Sequence, residues 1–215
     1  MVIVIDNKTR IKEKAKELFI QLGMRRVSMD DIANAMGMSK KTLYQYYPDK
    51  ETLVAETVEL ILEANRANCE ACRKGAKNAI HEGFLATGHV SAMMKKMNPV
   101  LLFDMQKYYP LAYRRFSKFK EDFLYRFIHN SIEWGIKEGL FREDLDINLV
   151  SRLRLESINL PFQRHFYDAI KTDLATLQKE IFLLFLYGIA TPKGAKMIDK
   201  YKTEKNQKSN TDDKN

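Results

Sequence analysis

One short run of polar and aromatic residues near the N-terminus has side chains that can bind phosphates and bases. Its members are Lys40, Lys41, Thr42, Tyr44, Gln45 and Tyr46. A lysine can bind a phosphate or the O6 and N7 atoms of guanine, a glutamine can bind adenine, and a threonine can contact a thymine methyl group or a phosphate. Taken alone, the two lysines can equally form a solvated helix face, and the tyrosines can be packing residues.

Three more residues lie at predicted helix starts, where free backbone N–H groups and the helix dipole attract anions. Ser28 begins a second helix, Ser39 begins a third and Lys50 opens a fourth. Both serines are also expected to cap their helices, because a hydroxyl oxygen accepts a hydrogen bond from a free N–H group. A phosphate can bind at each of these starts, so these three residues join the candidate contacts.

Hydrophobic periodicity predicts the elements that position these residues. Apolar side chains recur at helical spacing from Ile11 to Leu22, which marks the first helix. Gly37 separates the second helix from the third, and the small Ala33 four residues earlier allows the two helices to cross closely. Residues 8–50 therefore predict three short helices, of which the second and third form a helix-turn-helix.

The ordered string around this helix-turn-helix resembles the DNA-binding region of the TetR family of bacterial transcriptional regulators. It contains SMDDIA from Ser28, GMSKKTLY from Gly37 and YYPDKETL from Tyr46. The resemblance implies that the three N-terminal helices bind double-stranded operator DNA. It also implies a C-terminal domain that binds a small-molecule effector and forms a homodimer, and most family members repress transcription until the ligand releases them. Beyond these residues the chain shares with the family only its helical and aromatic-rich character.

The whole chain is predicted to be all-α. Its 215 residues include only nine glycines and five prolines, and no Asn-Gly or Asp-Gly turn separates alternating apolar runs. We expect a helix-turn-helix domain at residues 1–50 and a larger helical domain for ligand binding and dimerisation at residues 51–203. Residues 204–215 are polar and lack apolar anchors, so they are expected to form a disordered tail.

Three long helices are expected in the larger domain: residues 110–139, residues 146–169 with a kink at Pro161, and residues 173–190. The last of these helices is apolar on nearly all of its faces, so it must be buried on two sides. Its own domain can bury one side, and a second subunit is expected to bury the other. The third helix is the recognition helix of the helix-turn-helix, and two copies of it reach successive major grooves, about 34–36 Å apart, only in a dimer. The candidate interface residues are Ile158, Leu177, Ile181, Leu184, Phe185 and Gly188.

Aromatic residues are concentrated in the larger domain, where 18 of the 23 lie from Phe84 to Tyr187. Each can be a core residue, but as a group they suggest a partly aromatic pocket for an apolar or amphipathic ligand. The candidate ligand contacts are Phe103, Tyr108, Tyr109, Tyr113, Phe116, Phe127, His129, Trp134, Phe162, His165 and Phe166.

Composition excludes several classes of protein. The net charge of +8 favours a polyanionic partner without identifying one, since less than half of it lies in the first 55 residues. The longest apolar run, residues 181–190, is about half of the roughly 20 residues that span a membrane, and the N-terminus does not resemble a signal peptide. We therefore expect a cytoplasmic protein with no membrane partner.

Cys69 and Cys72 have the C-x-x-C spacing of some thiol switches and metal sites. No second cysteine pair or histidine pair accompanies them, so we expect reduced thiols, no metal and no cofactor. No nucleophile–base set is apparent, so an enzyme is not expected. Two alternatives to a ligand-released repressor remain: a DNA-binding regulator whose C-terminal domain responds to a protein partner, and a ligand carrier or enzyme that has lost DNA binding.

Overall fold

The computed structural model describes residues 6–163 and 172–212, with side chains as far as position 204. This part of the chain is helical, and its β-bridge between Phe141 and Ala190 is isolated, so the all-α prediction is confirmed. The helices are α1 (Asn7–Leu22), α2 (Met29–Ala35), α3 (Lys40–Tyr46), α4 (Lys50–Gly75), α5 (Ala79–Met94), α6 (Leu101–Tyr108), α7 (Pro110–Phe119), α8 (Tyr125–Lys137), α9 (Ile147–Ser157), α10 (Leu174–Ile189) and α11 (Pro192–Asp212).

Side-chain caps begin the first four helices. Asp6 accepts hydrogen bonds from two backbone N–H groups of α1, and Ser28 forms a capping box with Asp31 at the start of α2. Ser39 caps α3 and Asp49 caps α4 in the same way. Each cap satisfies an N–H group that has no partner within its own helix, which explains why these short segments begin where they do.

The turn between α2 and α3 has the predicted geometry. Gly37 adopts a φ of 64°, which an L side chain rarely adopts, and the N–H of Met38 donates to the carbonyl of Ala33 at 3.0 Å. Ala33 is buried, as are Leu43 on α3 and Phe19 on α1. The helix-turn-helix therefore packs on α1, and α3 keeps its other face free.

The first hydrophobic core extends past the predicted boundary at residue 50. It contains α1, α2 and α3 side chains together with Leu53 and Val58 of α4, Met105 of α6, Tyr109, and Ala112 of α7. The N-terminal helices thus share one core with the first half of α4 and with α6 and α7. This continuity gives the larger domain a direct mechanical contact with the helix-turn-helix.

A second core holds the other end of the molecule together. Ile80 of α5, Ile132 of α8, Phe182 and Leu186 of α10, and Ile198 of α11 are its central buried residues. Helices α5 and α10 pack on each other within it, and α8 lies against α5.

Two of the predicted long helices differ from the structure. The helix expected at residues 110–139 consists of α7 and α8 joined by a π-helical turn, Lys120–Leu124, a change of hydrogen-bonding register without a Gly or Pro to signal it. The helix expected at residues 146–169 ends at Ser157 and a 3-10 turn follows, because Pro161 lacks an N–H and its ring clashes with the carbonyl four residues earlier. Residues 164–171 lie outside the described residues.

Helix α11 runs to Asp212 and so continues into the segment from residue 204 that the sequence predicts to be a disordered tail. Pro192 is the first residue of α11, where proline is well suited because the N–H that it lacks has no partner in the first turn of a helix. The buried Ile198 anchors α11 on the second core. The following residues include no glycine or proline, so the helix continues beyond its anchor.

Candidate functional site

The outward face of α3 presents four of the nine predicted contact residues together. Lys40, Lys41 and Gln45 are exposed, and Tyr44 is 40% exposed, whereas Leu43 on the opposite side is fully buried. The buried side fixes the helix, so these four side chains project from a rigid support.

Lys40 and Lys41 differ in their surroundings. The ammonium group of Lys40 pairs with the carboxylate of Asp30 on α2 at 2.8 Å, and this hydrogen bond raises the pKa of Lys40. Both side chains are more than half exposed, so solvent weakens the pair. Among the described residues no carboxylate pairs with Lys41. Lys41 can therefore bind a phosphate without losing a partner, whereas Lys40 must exchange Asp30 for it.

The hydroxyl groups at the two helix starts are already hydrogen-bonded. The Ser39 hydroxyl lies 2.8 Å from that of Thr42, which is half-buried, and accepts from the Thr42 N–H at 3.0 Å. The exposed Ser28 hydroxyl donates to the Asp31 carboxylate at 2.7 Å, and the hydrogen bonds from Ser28 lower the pKa of Asp31. The negative charge of Asp31 repels a phosphate at the N-terminus of α2. Ser28 is therefore a weaker candidate for a phosphate contact than Ser39.

Tyr46 and Lys50 face other elements of the protein. The half-buried Tyr46 accepts a hydrogen bond at its hydroxyl from the Asn7 side chain of α1 at 3.1 Å. Lys50 donates to the carbonyl of Arg25 at 3.2 Å and lies 5.4 Å above the ring of Tyr109, and burial lowers its pKa. Both side chains contribute to packing beside α3 and remain only predicted DNA contacts.

Sequence reasoning missed Arg25 and Arg26, which are exposed in the loop before α2. The guanidinium of Arg25 donates to the Tyr108 hydroxyl at 3.0 Å and stacks 4.7 Å from that ring, while its backbone N–H donates to Asp104 at 2.9 Å. The sequence does contain a signal for them, since the two adjacent arginines lie one residue before the predicted helix start at Ser28. Arg25 thus connects the N-terminal helices to α6.

The comparisons with known proteins agree with this geometry. The sequence model of the bacterial regulatory proteins, tetR family, matches residues 11–57, which contain the whole helix-turn-helix. Residues 11–57 therefore carry a DNA-binding segment of the TetR type. The HTH-type transcriptional repressor KstR2 of Rhodococcus jostii (strain RHA1) is 24% identical to it over 188 residues, which cover 86% of this chain and 92% of that protein.

Solved structures share the fold over most of the chain. The TetR-family regulator from Agrobacterium tumefaciens has a TM-score of 0.70 at 14% identity and covers 86% of this chain and 100% of its own. The ketosteroid transcriptional regulator KstR2 of Mycobacterium tuberculosis has a TM-score of 0.53 at 20% identity and covers 87% of this chain and 97% of its own. The protein is a TetR-like transcriptional regulator.

In this TetR-like regulator a cavity of about 130 Å³ lies among α4, α5, α8, α9 and α10. Its walls are mainly apolar and aromatic, with Phe127, Ile132, Phe141, Ile158, Phe182 and Phe185 among them. Two strongly polar side chains, Arg154 of α9 and Gln178 of α10, also line it although both are buried. The sequence does not predict either residue in the cavity, because a lone Arg or Gln in a helical pattern is expected to face solvent.

Of the predicted ligand contacts that the structure describes, Phe127 alone lines this cavity. Tyr108, Tyr109, Tyr113 and Phe116 pack on the first core instead, because the aromatic-rich segment fills the junction with the N-terminal helices. The others are dispersed: Phe103 is 40% exposed, Trp134 stacks with Arg73, His129 lies beside Tyr125, and Phe162 packs near Met94. His165 and Phe166 lie outside the described residues.

The predicted dimer residues also divide into two groups. Leu177 is buried within its own chain, and Ile158 and Phe185 line the cavity, so these three offer little surface to a partner. Leu184 is 74% exposed, Gly188 is exposed and Ile181 is half-buried. The apolar side chains left uncovered on α9 and α10 are Leu149, Leu153, Leu184 and Tyr187.

No helix in the described part of the chain is long and apolar enough to cross a membrane.

Proposed function

We propose that this regulator is a repressor that binds operator DNA as a homodimer and is released by a small apolar or amphipathic ligand. The observation that carries the DNA-binding part is the outward face of α3, where Lys40, Lys41, Tyr44 and Gln45 project from a helix fixed by the fully buried Leu43. Such a helix fits a major groove, with lysines for phosphate or guanine and Gln45 for adenine. The name of the Rhodococcus relative, a transcriptional repressor, supports the direction of regulation.

The proposed dimer interface is the exposed apolar face of α9 and α10. Leu149 and Leu153 are 65% and 64% exposed and lie four residues apart on one face of α9, and Leu184 of α10 is 74% exposed. Large apolar side chains that are left exposed to solvent favour burial against a protein partner. A second copy of this chain satisfies the symmetry of two recognition helices on one operator.

The proposed release depends on contacts between α6 and the N-terminal helices. The backbone N–H of Asn98 donates to the carbonyl of Ile20 at 2.7 Å. The hydroxyl of Tyr109 donates to the backbone carbonyl of Met24 at 3.2 Å. Together with the Asp104–Arg25 hydrogen bond, these contacts hold the loop before α2. A ligand that prefers another arrangement of α4 and α6 would shift the population away from the DNA-binding spacing, by no more than its difference in affinity for the two states.

Selection of bound sequences from random double-stranded DNA by the purified protein tests this function. We expect an inverted repeat whose half-sites are centred about one helical turn, 10–10.5 base pairs, or a multiple of it apart. Recovery of no enriched sequence would contradict DNA binding, and a single half-site without a repeat would contradict the dimer.

A further inference from the structure

The cavity contains a buried positive charge without a matching negative one. Arg154 is 8% exposed, and its guanidinium donates one hydrogen bond, to the Ser157 hydroxyl at 3.0 Å. The rings of Phe182 and Phe185 lie 5.4 and 5.6 Å away. Among the described residues no carboxylate pairs with Arg154, although a guanidinium has five N–H donors.

The other buried charge beside the cavity is neutralised. Glu82 is fully buried, but Arg73 donates to both of its carboxylate oxygens at 3.1 and 3.2 Å, and the Ser131 hydroxyl donates to it as well. The protein thus supplies a partner for its buried carboxylate and leaves its buried guanidinium without one. The cavity consequently carries a net positive charge at the α9 side.

A second buried polar side chain lines the same cavity as Arg154. Gln178 of α10 is 2% exposed and lines the cavity, and its side-chain oxygen has no hydrogen-bond partner among the described residues. Burying an unpaired charge and an unsatisfied amide both cost free energy, so a folded chain rarely retains them without a use. Burial lowers the pKa of Arg154 to about 10, which leaves the group charged at neutral pH.

We propose that the effector is an organic acid whose apolar body occupies the cavity and whose single carboxylate binds the guanidinium of Arg154. The inference rests on the proposed ligand-released function and names its class of ligand. A carboxylate fits a guanidinium through two parallel hydrogen bonds, and the NH₂ group of Gln178, which lines the same cavity, is a further donor for an acidic ligand. The aromatic and aliphatic walls take the remainder of the molecule, as in most small-molecule sites.

The size of the cavity links binding to movement. Its 130 Å³ is close to the ~150 Å³ that accommodates a benzene-sized guest, and it is below the about 300–1,000 Å³ of most ligand pockets. An acid with a body larger than one ring must therefore displace α9 or α10. These helices also carry the uncovered apolar face, so a ligand that moves them would alter the spacing of the two subunits.

The test compares acids with their neutral and cationic counterparts on the full chain. The probes are octanoate, octan-1-ol and octylamine, with 3-phenylpropionate and 3-phenylpropan-1-ol as a second, aromatic pair; binding is measured by titration calorimetry. We expect each acid to bind about tenfold or more tightly than its alcohol and the amine to bind weakest. Equal binding of acid and alcohol, or no binding of either acid, would overturn the proposal.

Variants separate the charge from the shape of the site. Arg154→Met keeps much of the side-chain length and should remove the preference for acids while alcohols still bind. Arg152→Met is the matched control, because Arg152 lies on the same helix but is exposed and paired with Glu121 at 2.7 Å. Without ligand, Arg154→Met should also raise the melting temperature, whereas a merely structural arginine would lower it. Retention of the acid preference in Arg154→Met would contradict the assignment.

Operator binding is measured in parallel on the same protein. If acids bind as expected but no DNA sequence is selected, the proposed repressor function fails while the class of ligand stands. If DNA is selected but the acids show no advantage, the class of ligand fails while the regulator stands.

Discussion

The residues of the predicted DNA-binding face are not equivalent, because their surroundings within the protein differ. Lys41 has an exposed ammonium group, whereas Lys40 is held by Asp30 and Lys50 by the carbonyl of Arg25. A side chain that must break an existing contact gains less from a phosphate than one that does not. The sequence alone ranked the two adjacent lysines equally, since their difference depends on a carboxylate ten residues away on another helix.

This difference predicts how operator binding responds to salt. Lys41→Ala should weaken binding and flatten the plot of log K against log salt by about 0.9 per phosphate lost, hence about twice that for two subunits. Lys40→Ala should have a smaller effect on affinity, and Asp30→Asn should tighten binding because it frees Lys40. Lys196→Ala, at an exposed position on α11, is the control and should leave the slope unchanged. An unchanged slope in Lys41→Ala would remove this residue from the interface.

At the scale of elements, prediction succeeded where the signal was local. Ser28, Ser39 and Gly37 set the caps and the turn of the helix-turn-helix through neighbours within five residues, and the structure reproduces all three. Most of the predicted ligand contacts lie away from the cavity, because an aromatic residue such as Tyr109 or Tyr113 looks the same in a sequence whether it lines a pocket or fills a junction between helices. That choice depends on how α4 and α7 pack, which single-sequence periodicity does not contain.

The helix that the sequence missed, α11, gives a prediction about packing. A Cβ at Gly194 would lie 2.0 Å from the carbonyl oxygen of Leu140, so only glycine allows the start of α11 to approach this backbone. Gly194→Ala should lower the free energy of unfolding by about 1–3 kcal/mol in urea denaturation. Gly75→Ala is the control, since nothing lies within 4 Å of its Cβ position, and it should be neutral or stabilising by up to ~1 kcal/mol. Equal stability of the two variants would mean that α11 is not docked there.

At the scale of the whole molecule, the proposed function requires two features at opposite ends of the chain to act together. Helix α3, with its outward face, is packed on the first core, whereas the cavity and the exposed apolar side chains of α9 and α10 lie at the second. Helix α4 spans both, from Lys50 beside the recognition helix to Cys69 in the cavity wall. In the proposed dimer, binding of DNA by both subunits therefore depends on how the second cores of the two chains are joined.

That dependence predicts a single variant that abolishes both assembly and operator binding. Leu184→Glu places a charge at the centre of the proposed interface, where burying it without a partner is unfavourable, so the protein should sediment as a monomer at micromolar concentration. The monomer should retain its helical circular dichroism but lose most of its operator affinity, because one recognition helix contacts only one half-site. Phe103→Glu is the control: Phe103 is also apolar and 40% exposed but lies on α6, so the dimer should persist. A dimeric Leu184→Glu protein with full operator affinity would show that the subunits meet through another surface.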